Sequence, residues 1–216
     1  MKSFVSFPFE VDILLSNNAP QKASGKLVAH YELFKKIKNL NGAVVKCGVT
    51  AEEGFNHFAM FKALTGRNQH QQMIAFQKSQ PFFIEEVNES GDVTMMVKTH
   101  NLEANTHLLQ KTLIDKGHTH YIDFVPGDVS ESIPDYLIEN PELKIAMLHI
   151  DLDDYEGTTD ALEFLFPRIV QGGILILDNY HKNSGEKKAM TDYFRPMQPL
   201  IQNFSVNNGP HYIINQ

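Results

Sequence analysis

Residues 144–178, KIAMLHIDLDDYEGTTDALEFLFPRIVQGGILILD, decide the fold class. The run from Lys144 to Asp151 is apolar at nearly every position until it closes on a carboxylate, the pattern of a strand covered on both faces. Glu156 to Ile169 carries apolar residues at helical spacing, Gly172 and Gly173 turn the chain, and ILILD from Ile174 to Asp178 is a second continuous apolar strand. Two buried strands joined through a helix imply a parallel pair with a crossover connection.

The same alternation extends outward in both directions. Upstream, a helix is expected at about 24–39, then the strand AVVKCG ending at Gly48, a helix at about 52–64 and the strand MIAF from Met73 to Phe76. An irregular stretch follows, in which IEEVNESGDV, from Ile84 to Val93, is long and polar enough for a lid over a site. A helix from Leu102 to about Lys116, the strand HYIDFV and a helix at about 130–139 lead into the deciding block. Downstream, the helix EKKAMTDYF precedes FSVNNGPHYIINQ, two short strands about an Asn-Asn-Gly turn. The expected architecture is an α/β, Rossmann-like, doubly wound sheet of seven strands, mostly parallel, with an antiparallel C-terminal strand near His211 to Asn215. Residues 1–22 read as an N-terminal arm and 23–216 as the domain.

Composition narrows the function classes. A net charge of −7 argues against a nucleic-acid partner, which would draw on clustered Lys and Arg; Lys35, Lys36 and Lys38 sit on a helix whose other side is apolar. Cys47 is the only cysteine, so no intramolecular disulfide forms, and a cytoplasmic setting is expected. The apolar start MKSFVSFPFEVDILLSNN is interrupted by Pro8, Glu10 and Asp12, unlike a signal-peptide core, and no stretch approaches a membrane span. The apolar arm PFEVDILL suggests packing on a second copy of the chain. No phosphate loop or Gly-x-Ser-x-Gly elbow occurs.

In open parallel sheets ligands sit at the carboxyl ends of the strands. Those ends carry Gly48 and Val49, Phe76 and Gln77, Gly127 and Asp128, Asp151 and Asp178, which makes Gly48, Val49, Phe76, Gln77, Gly127, Asp128 and Asp151 the expected lining of a cofactor cleft. Asp151 and Asp178 end strands expected to be neighbours. Paired carboxylates attract a cation, and hard oxygen donors favour magnesium, calcium or manganese, with Asn179 completing the set. The competing role for each Asp is to cap the helix that follows it. His118 and His120 read as a surface feature before a strand, and Cys47 as a buried, inert thiol.

The block HIDLDDYEGTTDALEFLFPRIVQGGILILDNY, with GEKKAMTDYF, VVKCGV and FVPGDVSESIP, resembles the metal-dependent macrocin/mycinamicin sugar O-methyltransferases, over roughly residues 25–195. The resemblance implies a class I fold with S-adenosylmethionine as methyl donor and magnesium or another hard cation at Asp151, Asp178 and Asn179. It also implies Asp153 as catalytic base and a small-molecule acceptor, such as a sugar hydroxyl. Four positions depart from the family pattern. Asn179 replaces a second Asp, Glu52 stands where a glycine is expected, Gln77 replaces the acidic residue that holds the donor ribose, and Lys46 stands where an acidic residue is common. Glu52, Gln77 and Asn179 motivate the alternative expectation, a methyltransferase-fold protein that has lost turnover and acts as a binding module.

Overall fold

A computed structural model describes residues 21–48, 57–59, 61–62, 71–77, 81–87, 93–99, 122–181, 184–204 and 209–216. The chain enters through helix α1, Gln21–Lys36, followed by strand β1, Ala43–Cys47, and strand β2, Met73–Gln77. Two further strands, β3 (Pro81–Val87) and β4 (Val93–Thr99), pair only with each other in an antiparallel ribbon. Then come β5 (Ile122–Pro126), α2 (Val129–Glu139), β6 (Ile145–Ile150), α3 (Tyr155–Leu165), β7 (Ile169–Leu177), α4 (Gly185–Tyr193), β8 (Gln202–Asn203) and β9 (His211–Ile214).

The main sheet has seven strands in the order β5-β2-β1-β6-β7-β9-β8. From β5 to β7 all pairings are parallel; β9 runs antiparallel to β7, and β8 antiparallel to β9. The expected architecture is therefore present, with β6 and β7 side by side at the centre. The chain order reverses direction between β1 and β6, the place where such sheets bind ligands.

The central strands are apolar throughout because both of their faces are covered. Val45, Cys47, Leu148, Ile150, Leu175 and Leu177 pack under α2, α3 and α4 on one side. On the other, Val44, Met147, Ile174 and Ile176 meet Leu33, Phe34 and Ile37 of α1 together with Phe58 and Phe61. Burial of Cys47 pushes its thiol up to about 12, which leaves it inert, as its place in the strand implied.

Several boundaries differ from the sequence reading. Helix α3 stops at Leu165 instead of Ile169: Pro167 enters a single 3-10 turn, Phe166–Arg168, and Ile169 already pairs with Ile145. Gly172, at φ +78, then forms an irregularity inside β7 and not a turn before it. Of the stretch Ile84–Val93, Ile84–Val87 belong to β3 and Val93 opens β4, and residues 88–92 lie outside the described residues. The C-terminal pair uses Gln202–Asn203 and His211–Ile214, a wider separation than a tight Asn-Asn-Gly hairpin. The expected helix at 102–116, most of the expected helix at 52–64, Val49, Glu52, His118, His120 and the arm 1–20 lie outside the described residues. Among the described residues no helix is long and apolar enough to cross a membrane.

Candidate functional site

Three backbone hydrogen bonds stitch the strand ends together: Gly48 N–H donates to Phe76 O (3.1 Å), Asp151 N–H to Cys47 O (3.0 Å) and Asp178 N–H to Ile150 O (3.3 Å). Asp151 and Asp178 are thereby placed level with each other on adjacent strands. Gly48 adopts φ +86, and a Cβ there would lie 2.1 Å from Asp151 O, so only glycine lets the chain leave β1 so close to β6. Gly127, after β5, needs glycine for its φ of +128 alone, since a Cβ there would meet only Ser132 Cβ at an ordinary 3.5 Å. The ends of β1 and β5 thus expose bare backbone.

The expected lining residues divide in what they offer. Phe76 is wholly buried, edge-on to Tyr136 with ring centroids 5.6 Å apart, so its ring belongs to the core and only its backbone reaches the rim. Gln77 closes β2 opposite Pro126. Asp128 caps α2, its Oδ1 accepting from Ser130 N (3.0 Å) and Ser130 Oγ (2.9 Å); Asp154 caps α3 through Gly157 N (2.6 Å). Helix capping accounts for these two carboxylates and not for Asp151 or Asp178. Asp153 is exposed on the loop between Asp151 and the cap of α3. Gly185, at the start of α4, lies so close to this loop that a Cβ would meet Asp153 O at 2.7 Å.

Asp151 and Asp178 have acquired partners that the sequence did not reveal. Lys46 reaches Asp151 Oδ2 at 2.7 Å from a wholly buried position, and Asn179 Nδ2 donates to Asp151 Oδ1 at 3.0 Å. Burial works to raise the Asp151 carboxyl, but the ammonium of Lys46 outweighs it and holds the group below its ordinary value. Asp178 turns to a different set: Lys26 Nζ lies 2.7 Å and His149 Nε2 2.9 Å from its Oδ2, and His30 Nε2 lies 3.6 Å from its Oδ1. Burial again acts upward, and the contacts of His149 and then His30 leave Asp178 well below the usual carboxylate range.

Lys26 and His30 are four apart on α1 and share its inner face, while His149 is two residues before Asp151 and so lies on the same side of β6. Burial, with Lys46 adding to it, pushes His149 down to about 4, so the ring is neutral at pH 7. Beneath the rim, Glu186 is fully buried and its Oε1 accepts from Asn179 N at 3.0 Å. Burial, reinforced by Asp178, pushes Glu186 up to about 9, and it is protonated at pH 7.

A methyl donor whose backbone-facing part must approach the strand ends fits the two positive-φ glycines. A hard dication at Asp151, Asp178 and Asn179 does not fit the residues as placed: Lys46 and Lys26 already balance the two carboxylates one to one, and Asn179 directs its N–H, not its carbonyl, at Asp151. Magnesium asks for near-octahedral oxygen ligation. A cavity of about 750 Å³ lies at the opposite rim, by Asn39–Ala43 and Glu139–Lys144, away from every strand-end carboxylate, and is not where we place the site.

Comparison with known proteins agrees with this geometry. The solved structure of CalS11, a calicheamicin methyltransferase, superposes over 98% of this chain and 95% of its own with a TM-score of 0.68 at 22% identity. The O-methyltransferase NovP superposes over 89% of this chain and 80% of its own, with a TM-score of 0.66 at 19% identity. Both establish the fold. In sequence, the chain is 41% identical over 59 residues, 27% of its length, to the 8-demethyl-8-(2,3-dimethoxy-alpha-L-rhamnosyl)-tetracenomycin-C 4'-O-methyltransferase of Streptomyces olivaceus. It is 33% identical over 72 residues, 33% of its length, to the demethyldecarbamoylnovobiocin O-methyltransferase of Streptomyces niveus. These matches span 21% and 26% of the two relatives' own lengths. The Macrocin-O-methyltransferase (TylF) family profile matches residues 94–205, just over half of the chain, and the protein belongs to that family.

Proposed function

We propose that this protein transfers the methyl group of S-adenosylmethionine to a hydroxyl of a sugar or another small-molecule acceptor. The observation that supports this reading is an exposed carboxylate, Asp153, two residues beyond Asp151 at the end of β6, in a sheet whose β1 and β5 end in glycines of positive φ. Family membership supports it, and the relative named as acting on a rhamnosyl tetracenomycin supports a sugar-linked acceptor.

The donor supplies an electrophilic methyl on a positive sulfur. Gly48 and Gly127 would let it approach the ends of β1 and β5, and Gln77, the last residue of β2, is the residue assigned to its ribose. Asp153 receives the proton of the acceptor hydroxyl as the oxygen–methyl bond forms and the sulfur–methyl bond breaks, leaving a methyl ether and S-adenosylhomocysteine. An unaided alcohol is too weak an acid to ionise at neutral pH, so the proton must leave in concert with transfer. The remaining residues hold geometry: Lys46 fixes Asp151, and Gly185 packs against the Asp153 loop.

Titration of the full chain with S-adenosylhomocysteine by calorimetry tests this. One-to-one binding is expected, and a chain that binds neither donor nor product contradicts the reading. A second reading, a donor-binding module without turnover, is favoured by Lys46 and Gln77, both of which replace acidic residues of the family pattern. It predicts that S-adenosylhomocysteine binds while no acceptor is methylated.

A further inference from the structure

We propose that His30, His149 and Asp178 form a binding site for a divalent ion of borderline softness, of which zinc is the representative. The site shares Asp178 with the all-oxygen set read from the sequence but takes its other two ligands from His30 and His149, and the inference does not depend on the methyl-transfer reading.

The three side chains come from α1, β6 and β7, and one ligand atom of each lies within 4.8 Å of the others. Two of the separations are 2.9 Å (His149 Nε2 to Asp178 Oδ2) and 3.6 Å (His30 Nε2 to Asp178 Oδ1). Ligands held tetrahedrally at zinc's bond lengths sit roughly 3.3 Å apart, so the cluster is already close to the right size.

The imidazoles themselves ask for a partner. His30 and His149 are wholly buried; their Nδ1 atoms have no hydrogen-bond partner, and their Nε2 atoms both lie against Asp178. Buried polar atoms are nearly always satisfied, and an ion would use a lone pair from each ring. Two nitrogens and one carboxylate suit zinc or cobalt and suit magnesium poorly.

Lys26 stands in the ion's way and also shows how the site would open. Its ammonium lies 2.7 Å from Asp178 Oδ2, yet its side chain is 27% exposed, so it can swing to solvent when a dication takes over the charge on Asp178. Lys46 stays with Asp151. A bound ion would clamp α1 to the sheet and, with three protein ligands, keep one position open at the carboxyl rim.

The test uses the full, untagged chain, stripped with chelator and titrated with zinc chloride by calorimetry, with cobalt chloride by visible absorption, and with magnesium chloride. Expected are one zinc per chain, a cobalt spectrum of low-coordinate nitrogen and oxygen ligation, and no saturable magnesium binding at the same concentrations. His30→Ala and His149→Ala should each weaken zinc about tenfold or more, and Lys26→Met should tighten it. Absence of saturable zinc binding, zinc binding that survives both histidine substitutions, or equal affinity for magnesium would each overturn the proposal. Should His149→Ala fail to fold, the wild-type cobalt spectrum decides: visible bands of low-coordinate ligation support the site, and a spectrum of hydrated cobalt alone rejects it.

Discussion

On the side of β1 and β5 the strands end in Gly48 and Gly127, and what they present is backbone; on the side of β6 and β7 they end in Asp151 and Asp178, surrounded by Lys26, Lys46, His30, His149 and Glu186. The first half makes room by omitting side chains and can tolerate only backbone strain. The second half packs five titratable groups around two carboxylates. A substitution in the first half should therefore act through sterics, and one in the second through charge.

The largest effect expected is steric. Gly48→Ala places a Cβ at φ +86 and within 2.1 Å of Asp151 O, and should destabilise the fold by on the order of 3 kcal/mol or more in urea unfolding while abolishing donor binding. A variant of wild-type stability would mean that this half of the rim is far looser than described.

The charged half is expected to respond asymmetrically. Asp151→Asn leaves the wholly buried ammonium of Lys46 without its counter-charge and should cost about 2 kcal/mol, reduced from the fully buried case because Asp151 is itself partly exposed. Lys46→Met leaves a carboxylate that water can reach and should cost about 1 kcal/mol or less. Equal losses, or the reverse order, would break the distinction between the two partners.

Glu186 adds a pH dependence of known sign. Its folded value of about 9 exceeds the ordinary 4.5, so between these limits the unfolded chain has released a proton that the folded chain retains, and stability falls as pH rises. Glu186→Gln keeps an acceptor for Asn179 N–H and removes the proton. Its melting temperature should match wild type near about pH 4.5 and exceed it by a margin that grows towards about pH 9. A constant margin would show that Glu186 is ionised in the fold. The smallest effect is expected at the end of β2: Gln77→Asp should tighten S-adenosylhomocysteine binding by about 1 kcal/mol, through a charged acceptor for the ribose hydroxyls.

Local apolar runs made most of the fold legible. β6, α3 and β7 could be read because their burial is continuous, and both the antiparallel last strand and the Asp151–Asp178 neighbourhood followed from them. β3 and β4 could not, because PFFIEEV and VTMMVKT pair with each other outside the main sheet, and the acidic Glu85 and Glu86 read as loop. At the site, the strand-end aspartates were visible and their partners were not. Lys26 and His30 approach Asp178 from a helix about 150 residues upstream, and no local pattern encodes that contact. His149 did leave a trace, since its spacing of two from Asp151 puts both on one face of β6. Lys46 left a stronger one as a buried lysine within an apolar strand, which requires a carboxylate nearby.

The central claim, that Asp153 drives transfer at this rim, is tested most directly by following labelled methyl from S-adenosylmethionine to a panel of deoxysugar glycosides, with wild type and Asp153→Asn side by side. The account predicts labelling of at least one glycoside by wild type and transfer slower by roughly a hundredfold or more in Asp153→Asn, with S-adenosylhomocysteine affinity unchanged. Equal rates in the two proteins, or tight donor binding with no glycoside labelled, would contradict it.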